Sequence, residues 1–210
     1  MAVVPRVLIA DGHPISHQGL TNAAQEAIPT VPIDIASTIA EVEMLARLHS
    51  NYRVAVLGTD LPDAKGLSGL LQVQNALGPV PIVVLADSVN PKTAGAAREL
   101  GAAAYVSKTW PLPRLVMALR EVLNGGTVFP APTRTTDRML QAGEGLTRLS
   151  VAQLRVLVAL ASGRSNKQIA GDLGVTEATI KAHLSASFRK LGVQNRAQAL
   201  MAMQPVLATG

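Results

Sequence analysis

The chain has 210 residues, room for one large domain or two small ones, and its 48% hydrophobic and 16% charged composition supports a buried core and excludes a disordered polyion. No apolar run nears the ~18 residues of a membrane span, Asp11 arrives too early for a signal peptide, and the lack of cysteine excludes a disulfide scaffold, a thiolate metal site and a cysteine nucleophile. Five aromatic residues are too few for a base-stacking platform on single strands, and the net charge of +5 is uneven: −1 over residues 1–125 against +6 over 146–210, as where one domain meets a polyanion.

In chain order, residues 1–125 alternate apolar runs with helix-like stretches. The runs are Arg6–Ala10, Val31–Ala36, Arg53–Leu57, Val80–Ala86 and Ala103–Val106. Several lack polar alternation, which suits parallel strands covered on both faces. Ser37 or Thr38 is placed to cap a helix to about His49, with Val42, Leu45 and Leu48 inward. Pro91 opens a helix that Gly101 ends. Five β–α repeats predict a doubly wound α/β domain with a five-stranded parallel sheet and its functional edge at the carboxyl ends of the strands. Residues 125–147 are rich in Gly, Pro and Thr and read as a linker, with one short helix around Asp137–Gln141.

From Leu149 the pattern is helical. A first helix, Val151–Ser162, carries Leu154, Leu157 and Ala161 on one face and stops at Gly163. Ser165 and Gln168 fit a capping box for a second helix ending near Leu173, with Gly174 suited to a left-handed cap. Thr176 caps a third helix, and Asn195 with Gln198 fits a box for a fourth. On the third helix Ile180, Leu184, Phe188 and Leu191 form one apolar stripe, while Lys181, Ala182, Ser185 and Arg189 project elsewhere. Two short helices, a tight turn and a basic outer face describe a helix-turn-helix, whose outer helix lies in the major groove of duplex DNA. The plainer alternative is a four-helix packing domain with solvated Lys and Arg.

The runs SNKQIA, VTEATIKAHL and RKLGVQNRAQA resemble the LuxR-type helix-turn-helix over about 60 residues. Gln153 and Arg155 stand where that family usually has glutamates. The resemblance implies that Lys181, Ala182 and Ser185 face bases, that Ser165, Asn166, Lys167, Thr179 and His183 lie near phosphates, and that the last helix supplies a dimer contact. Taken alone, His183 is equally a packing residue.

With that domain, residues 4–124 resemble the receiver of a NarL/FixJ-type response regulator, through IADGHPISHQGL, VAVLGTDLPDAKGLSGL, IVVLADS and GAAAYVSK. Such a receiver needs two neighbouring acids for a divalent cation, a phosphoacceptor aspartate four residues before the loop proline, and a Ser or Thr ending the fourth strand. Here stand Asp11 with Gly12, Gly58 four residues before Pro62, and Ala86. Glycine offers no nucleophile. Of the pocket, Asp11, Lys108 and the switch aromatic Tyr105 remain, and Asp11 and Lys108 are able to neutralise each other without metal. Asp60 is expected to stay out of the vacated place, and Asp63 to be a solvated turn residue. Trp110 is expected as a partly buried anchor for the last receiver helix.

The sequence thus predicts a pseudo-receiver at 1–124, a linker at 125–147 and a LuxR-type domain at 148–210. The expected protein is a cytoplasmic, phosphorylation-independent transcription regulator that binds duplex DNA as a homodimer. It has no phosphoacceptor, catalytic residue, metal or cofactor, and no membrane association. The alternative is an adaptor whose receiver pairs with another regulator or takes a small ligand in its emptied cleft. No Ser-His-Asp arrangement, metal-ligand spacing or phosphate-cradling loop points to an enzyme.

Overall fold

The computed structural model describes residues 4–64, 66–130 and 149–207. The five runs form strands β1 (Arg6–Ala10), β2 (Ile33–Ala36), β3 (Tyr52–Gly58), β4 (Ile82–Ala86) and β5 (Ala104–Ser107). They make one parallel sheet in the order β2-β1-β3-β4-β5. Two strands begin two residues later than the apolar runs suggest, and β5 begins one residue later. Pro32 and Pro81 have no N–H to give a ladder, so β2 and β4 start just after them.

Five helices flank the sheet: α1 (Pro14–Ala27), α2 (Ile39–Leu48), α3 (Ser68–Leu77), α4 (Pro91–Glu99) and α5 (Leu112–Leu123). Val7, Ile9, Val54, Val56, Val83 and Leu85 pack with Leu20, Val116 and Leu119 of α1 and α5. The alternate strand residues, Leu8, Ala55, Leu57, Ile82, Val84 and Tyr105, pack with α2, α3 and α4. Both faces are covered, which explains strands without polar alternation.

Thr38 caps α2 by accepting from the Glu41 N–H. Val42 is buried and Leu45 packs on the core, but Leu48 is 66% exposed. Each step of three residues falls about 60° short of a full turn, so by Leu48 the row has rotated off the inner face. Asp63 is the exposed turn residue expected, and it has a second role. Its carboxylate accepts from the N–H groups of Ile39 (2.8 Å) and Ala40 (3.2 Å), meeting donors that the first turn of α2 leaves unpaired. Trp110 packs against the α1–α5 core, with the Arg114 guanidinium 3.7 Å above its ring.

The stretch read as linker begins bound to the sheet. Val128 pairs with Ala104 beyond the end of α5, and Tyr105 N–H donates to Val128 O at 2.8 Å. The short helix expected at Asp137–Gln141 lies outside the described residues.

Four further helices follow: α6 (Val151–Ala161), α7 (Asn166–Leu173), α8 (Glu177–Leu191) and α9 (Arg196–Leu207). Leu154, Leu157, Ile169, Ile180, Leu184, Ala199 and Met203 form their core. α6 lies against α3 and α9 against α4, and Arg164 Nη2 donates to Gln72 Oε1 at 3.0 Å. Among the described residues, no helix is long and apolar enough to cross a membrane.

Candidate functional site

The receiver pocket sits where the strands end: Asp11 follows β1, Gly58 ends β3, Ala86 ends β4 and Lys108 follows β5. The Lys108 N–H donates to Ala86 O at 2.8 Å and ties the last two strand ends together. Asp11 is fully buried. One carboxylate oxygen accepts from the His13 N–H at 2.9 Å, and the other lies 2.9 Å from Lys108 Nζ. Ala86 and Tyr105 are also buried, and burial pushes the Tyr105 phenol up to about 12.

Asp60 does not stay away. Its Oδ1 accepts from Lys108 Nζ at 2.8 Å, and its Oδ2 contacts His13 Nδ1. The two glycines make this possible. A Cβ on Gly58 would stand 2.3 Å from Asp11 Oδ2 and 2.9 Å from Asp60 Oδ1. A Cβ on Gly12 would stand 2.5 Å from the backbone oxygen of Asp60. The Asp60 peptide and carboxylate have moved into space that side chains at 12 and 58 would claim. The cleft is refilled rather than emptied, which corrects the expectation drawn from sequence distance.

Electrostatics bind the group. Burial works to raise the Asp60 carboxyl, but the Lys108 hydrogen bond and charge outweigh it and hold the group below its ordinary range. Burial works to lower the Lys108 ammonium, but the hydrogen bonds and charges of Asp60 and Asp11 raise it above the usual lysine range. Asp87, 66% exposed, adds a longer contact of 3.7 Å.

The fold family implies a divalent cation here. Asp11, His13 and Asp60 bring three donor atoms within 4.8 Å of one another, a cluster that residue spacing did not reveal. The set does not fit the ion. Gly12 and Gly58 supply no carboxylates, and the two that remain are bridged by a fixed ammonium.

On the other domain the expected caps form. Ser165 Oγ accepts from the Gln168 N–H and Gln168 Oε1 accepts from the Ser165 N–H, so the Ser165 side chain is committed to the start of α7. Gly174 ends α7 at φ 64° and ψ 32°, the left-handed region. Thr176 Oγ1 accepts from the Thr179 N–H, and the two hydroxyls lie 2.9 Å apart. At the start of α9 Asn195 Oδ1 accepts from the Gln198 N–H at 2.9 Å as expected, while the return bond shifts by one residue, Gln198 Oε1 accepting from the Gln194 N–H. A further box, between Ser150 and Gln153, starts α6. The S-x-x-Q signal for it stands in the sequence, and sequence reasoning missed it. Gln153 also accepts from Lys190 Nζ at 2.8 Å, holding α6 to α8.

Ile180 and Leu184 are buried, with Phe188 and Leu191 packed against them. Lys181, Ala182, Ser185 and Arg189 are exposed on α8, and Lys167 is exposed on α7. Asn166, Thr179 and His183 are half-buried. Lys181 makes only a surface pair with Glu177, at 3.2 Å. Glu177 in the first turn and Arg189 and Lys190 in the last complement the helix dipole. The face is therefore open to a polyanion, and its charges are not consumed by the fold.

Two family descriptions match the chain: a response regulator receiver domain over residues 7–120 and bacterial regulatory proteins of the luxR family over residues 147–203. The glycerol metabolism activator of Pseudomonas putida is 31% identical over 206 residues, 93% of each protein. The transcriptional regulatory protein MctR of Rhizobium johnstonii is 27% identical over 192 residues, 91% of this chain and 89% of the relative. A solved structure of two RcsB dimers bound to two parallel DNAs matches at 26% identity and a TM-score of 0.51, covering 96% of this chain and 98% of that one. The chain belongs to the LuxR-family response regulators, transcription regulators that join a receiver to a DNA-binding helix-turn-helix.

Proposed function

We propose that this regulator works without phosphorylation, binding an inverted-repeat site on duplex DNA as a dimer in the cytoplasm. The observation that carries the reading is the pocket. Gly58 has no carboxylate to accept a phosphoryl group, and the carboxylates of Asp11 and Asp60, both paired with Lys108, occupy the space beside it. Ala86 lacks the hydroxyl that would bind the phosphoryl group. No switching chemistry is left, while the folded receiver and its partner domain persist.

In this reading Lys181, Ala182 and Ser185 meet base edges, and Arg189, Ser165, Asn166, Lys167, Thr179 and His183 line the phosphates. The division into a receiver at 1–124, a linker and a helix-turn-helix domain at 148–210 belongs to the same proposal. Support for a dimer comes from α9, where Met201 is 73% exposed, and from the RcsB dimers that share the fold. The adaptor reading draws on Ile15 and Met117, 93% and 69% exposed on α1 and α5, which give the receiver apolar surface for another chain.

The test treats purified protein with acetyl phosphate and Mg²⁺. The expected results are no phosphoryl-sized mass gain, a dimeric mass with or without donor, and unchanged affinity for an operator fragment. A stoichiometric adduct on Asp60 or Asp11, or a donor-dependent change in mass or affinity, overturns the reading. A dimer with no affinity above that for random DNA moves the adaptor reading ahead.

A further inference from the structure

The receiver pocket holds donor atoms that its ion pairs do not exhaust. Lys108 takes one oxygen from each carboxylate, Asp11 Oδ2 at 2.9 Å and Asp60 Oδ1 at 2.8 Å. The other oxygen of each is turned to His13, whose Nδ1 contacts Asp60 Oδ2 and stands 3.9 Å from Asp11 Oδ1. Each of the three residues offers a donor atom within 4.8 Å of the other two. Among the described residues, nothing gives Asp60 Oδ2 a hydrogen bond, although the atom is buried. Asp11 Oδ2, on a fully buried side chain, has the ammonium beside it but likewise accepts no hydrogen bond. Buried carboxylate oxygens are nearly always hydrogen-bonded, so acceptor capacity is left over here.

The charges are also unequal. Two carboxylates against one ammonium leave one negative charge in excess, and Asp87 adds another at 3.7 Å. The His13 ring is not committed to the fold. It stands at the N-cap of α1 without making a cap hydrogen bond, and it is 63% exposed. It covers Asp60 Oδ2 from the solvent side and is free to swing outward and admit an ion.

A hard divalent ion takes an octahedron of oxygens, and Gly12 and Gly58 contribute none to it. One imidazole nitrogen and two carboxylate oxygens are instead the mixed set of a borderline ion, with water in a fourth place. We propose that Asp11, His13 and Asp60 bind one zinc ion, while Lys108 holds the second oxygen of each carboxylate. Hydrogen-bonded partners of this kind orient metal ligands, so the ammonium that closes the pocket to a six-oxygen ion supports this one. With Asp87 counted, the two charges of the ion bring the group to neutrality. The ion joins the start of α1 to the loop between β3 and α3.

The test titrates zinc into the metal-free full chain by calorimetry. One ion per chain is expected, with a Kd of about 10 μM or tighter. Amide NMR is expected to show saturable shifts at Gly12, Gly58 and Thr59. Magnesium at about 10 mM is expected neither to shift these amides nor to displace zinc. His13→Ala, at an exposed position, is expected to keep the fold and to weaken zinc by at least about tenfold, since even the partners of metal ligands are worth about 10- to 100-fold. Asp60→Asn, of the same size, is a second variant with a similar loss. Zinc held equally by His13→Ala is on another of the four histidines, an adventitious ion only, and overturns the proposal. So does a titration that does not saturate, or displacement by magnesium. The phosphodonor experiment, run without zinc, tests the phosphorylation-free reading separately.

Discussion

At the receiver pocket, charge is turned inward. Asp11 is fully buried, Lys108 is 14% exposed, and each meets an opposite charge within 3 Å. On α8 charge is turned outward, and Lys181 is 66% exposed with one surface partner. The same residue types therefore do different work. Buried ion pairs hold a local structure together and resist change, whereas exposed cations stay free to exchange water and counterions for phosphates. Phosphorylation chemistry depends on single atoms at fixed points, so the proposed loss of it needs only a glycine at one position. Groove binding depends on a face, which tolerates many sequences as long as its shape and charge remain.

The sharpest break in this contrast is at Lys108. Lys108→Ala leaves Asp11 and Asp60 facing each other without their cation. Loss of one partner of a buried pair costs about 3–5 kcal/mol, and the partial exposure of Asp60 places this site near or below the lower figure. Denaturant unfolding measures it. The pH profile carries the sign. In the parent protein Asp60 is held below its ordinary range, so its share of stability is present above that ordinary value and is lost as pH falls through the lowered one. Without Lys108 burial dominates and the carboxyl rises above its ordinary value, so the sign inverts: the ionised carboxylate becomes a cost that is relieved as pH falls through the raised value. A variant as stable as the parent, with the same acid limb, would show that the network is incidental.

Next in size is the DNA face. Lys181→Ala is expected to cost about 1–3 kcal/mol on the specific site and little on random sequence, as for a residue that reads a base edge. Lys167→Ala, on the first turn of α7 where backbone N–H groups also point outward, is expected to weaken all sequences alike and to lower the salt slope by about one. Binding measured against salt on operator and random fragments separates the two. Equal losses for both variants on both fragments would show that α8 positions the protein without reading bases.

The parts of the fold that rest on local chemistry were legible in the sequence. Apolar runs without alternation mark strands covered on both faces, and Ser165, Gly174 and Thr176 carry their cap roles in their identities. The exposed cations of α8 follow from helical spacing against the stripe of Ile180 and Leu184. What could not be read were consequences of space. Asp60 reaches Lys108 because no Cβ stands at 12 or 58, and a two-residue separation along the chain does not reveal that the loop folds back. Asp63 caps a helix that begins 24 residues earlier.

The smallest expected effect is the most telling about the pocket. Gly58→Asp restores the carboxylate that a receiver uses, yet it is expected to confer no response to acetyl phosphate. The new Cβ falls 2.3 Å from Asp11 Oδ2, so Asp11 or Asp60 must shift to admit it. The added charge then competes with both for one ammonium, and like charges in a shared site raise one another's pKa. Gly12 still supplies no cation ligand, and an acid there would collide with the Asp60 backbone oxygen at 2.5 Å, which cannot swing aside as a side chain can. Ala86 still offers no hydroxyl to engage a phosphoryl group. Operator affinity and dimer mass of Gly58→Asp are therefore expected to agree with and without donor to about twofold, or ~0.4 kcal/mol. A donor-dependent rise in either would mean that one carboxylate is enough to reopen the pocket, and that the buried network yields more readily than its distances and charges imply.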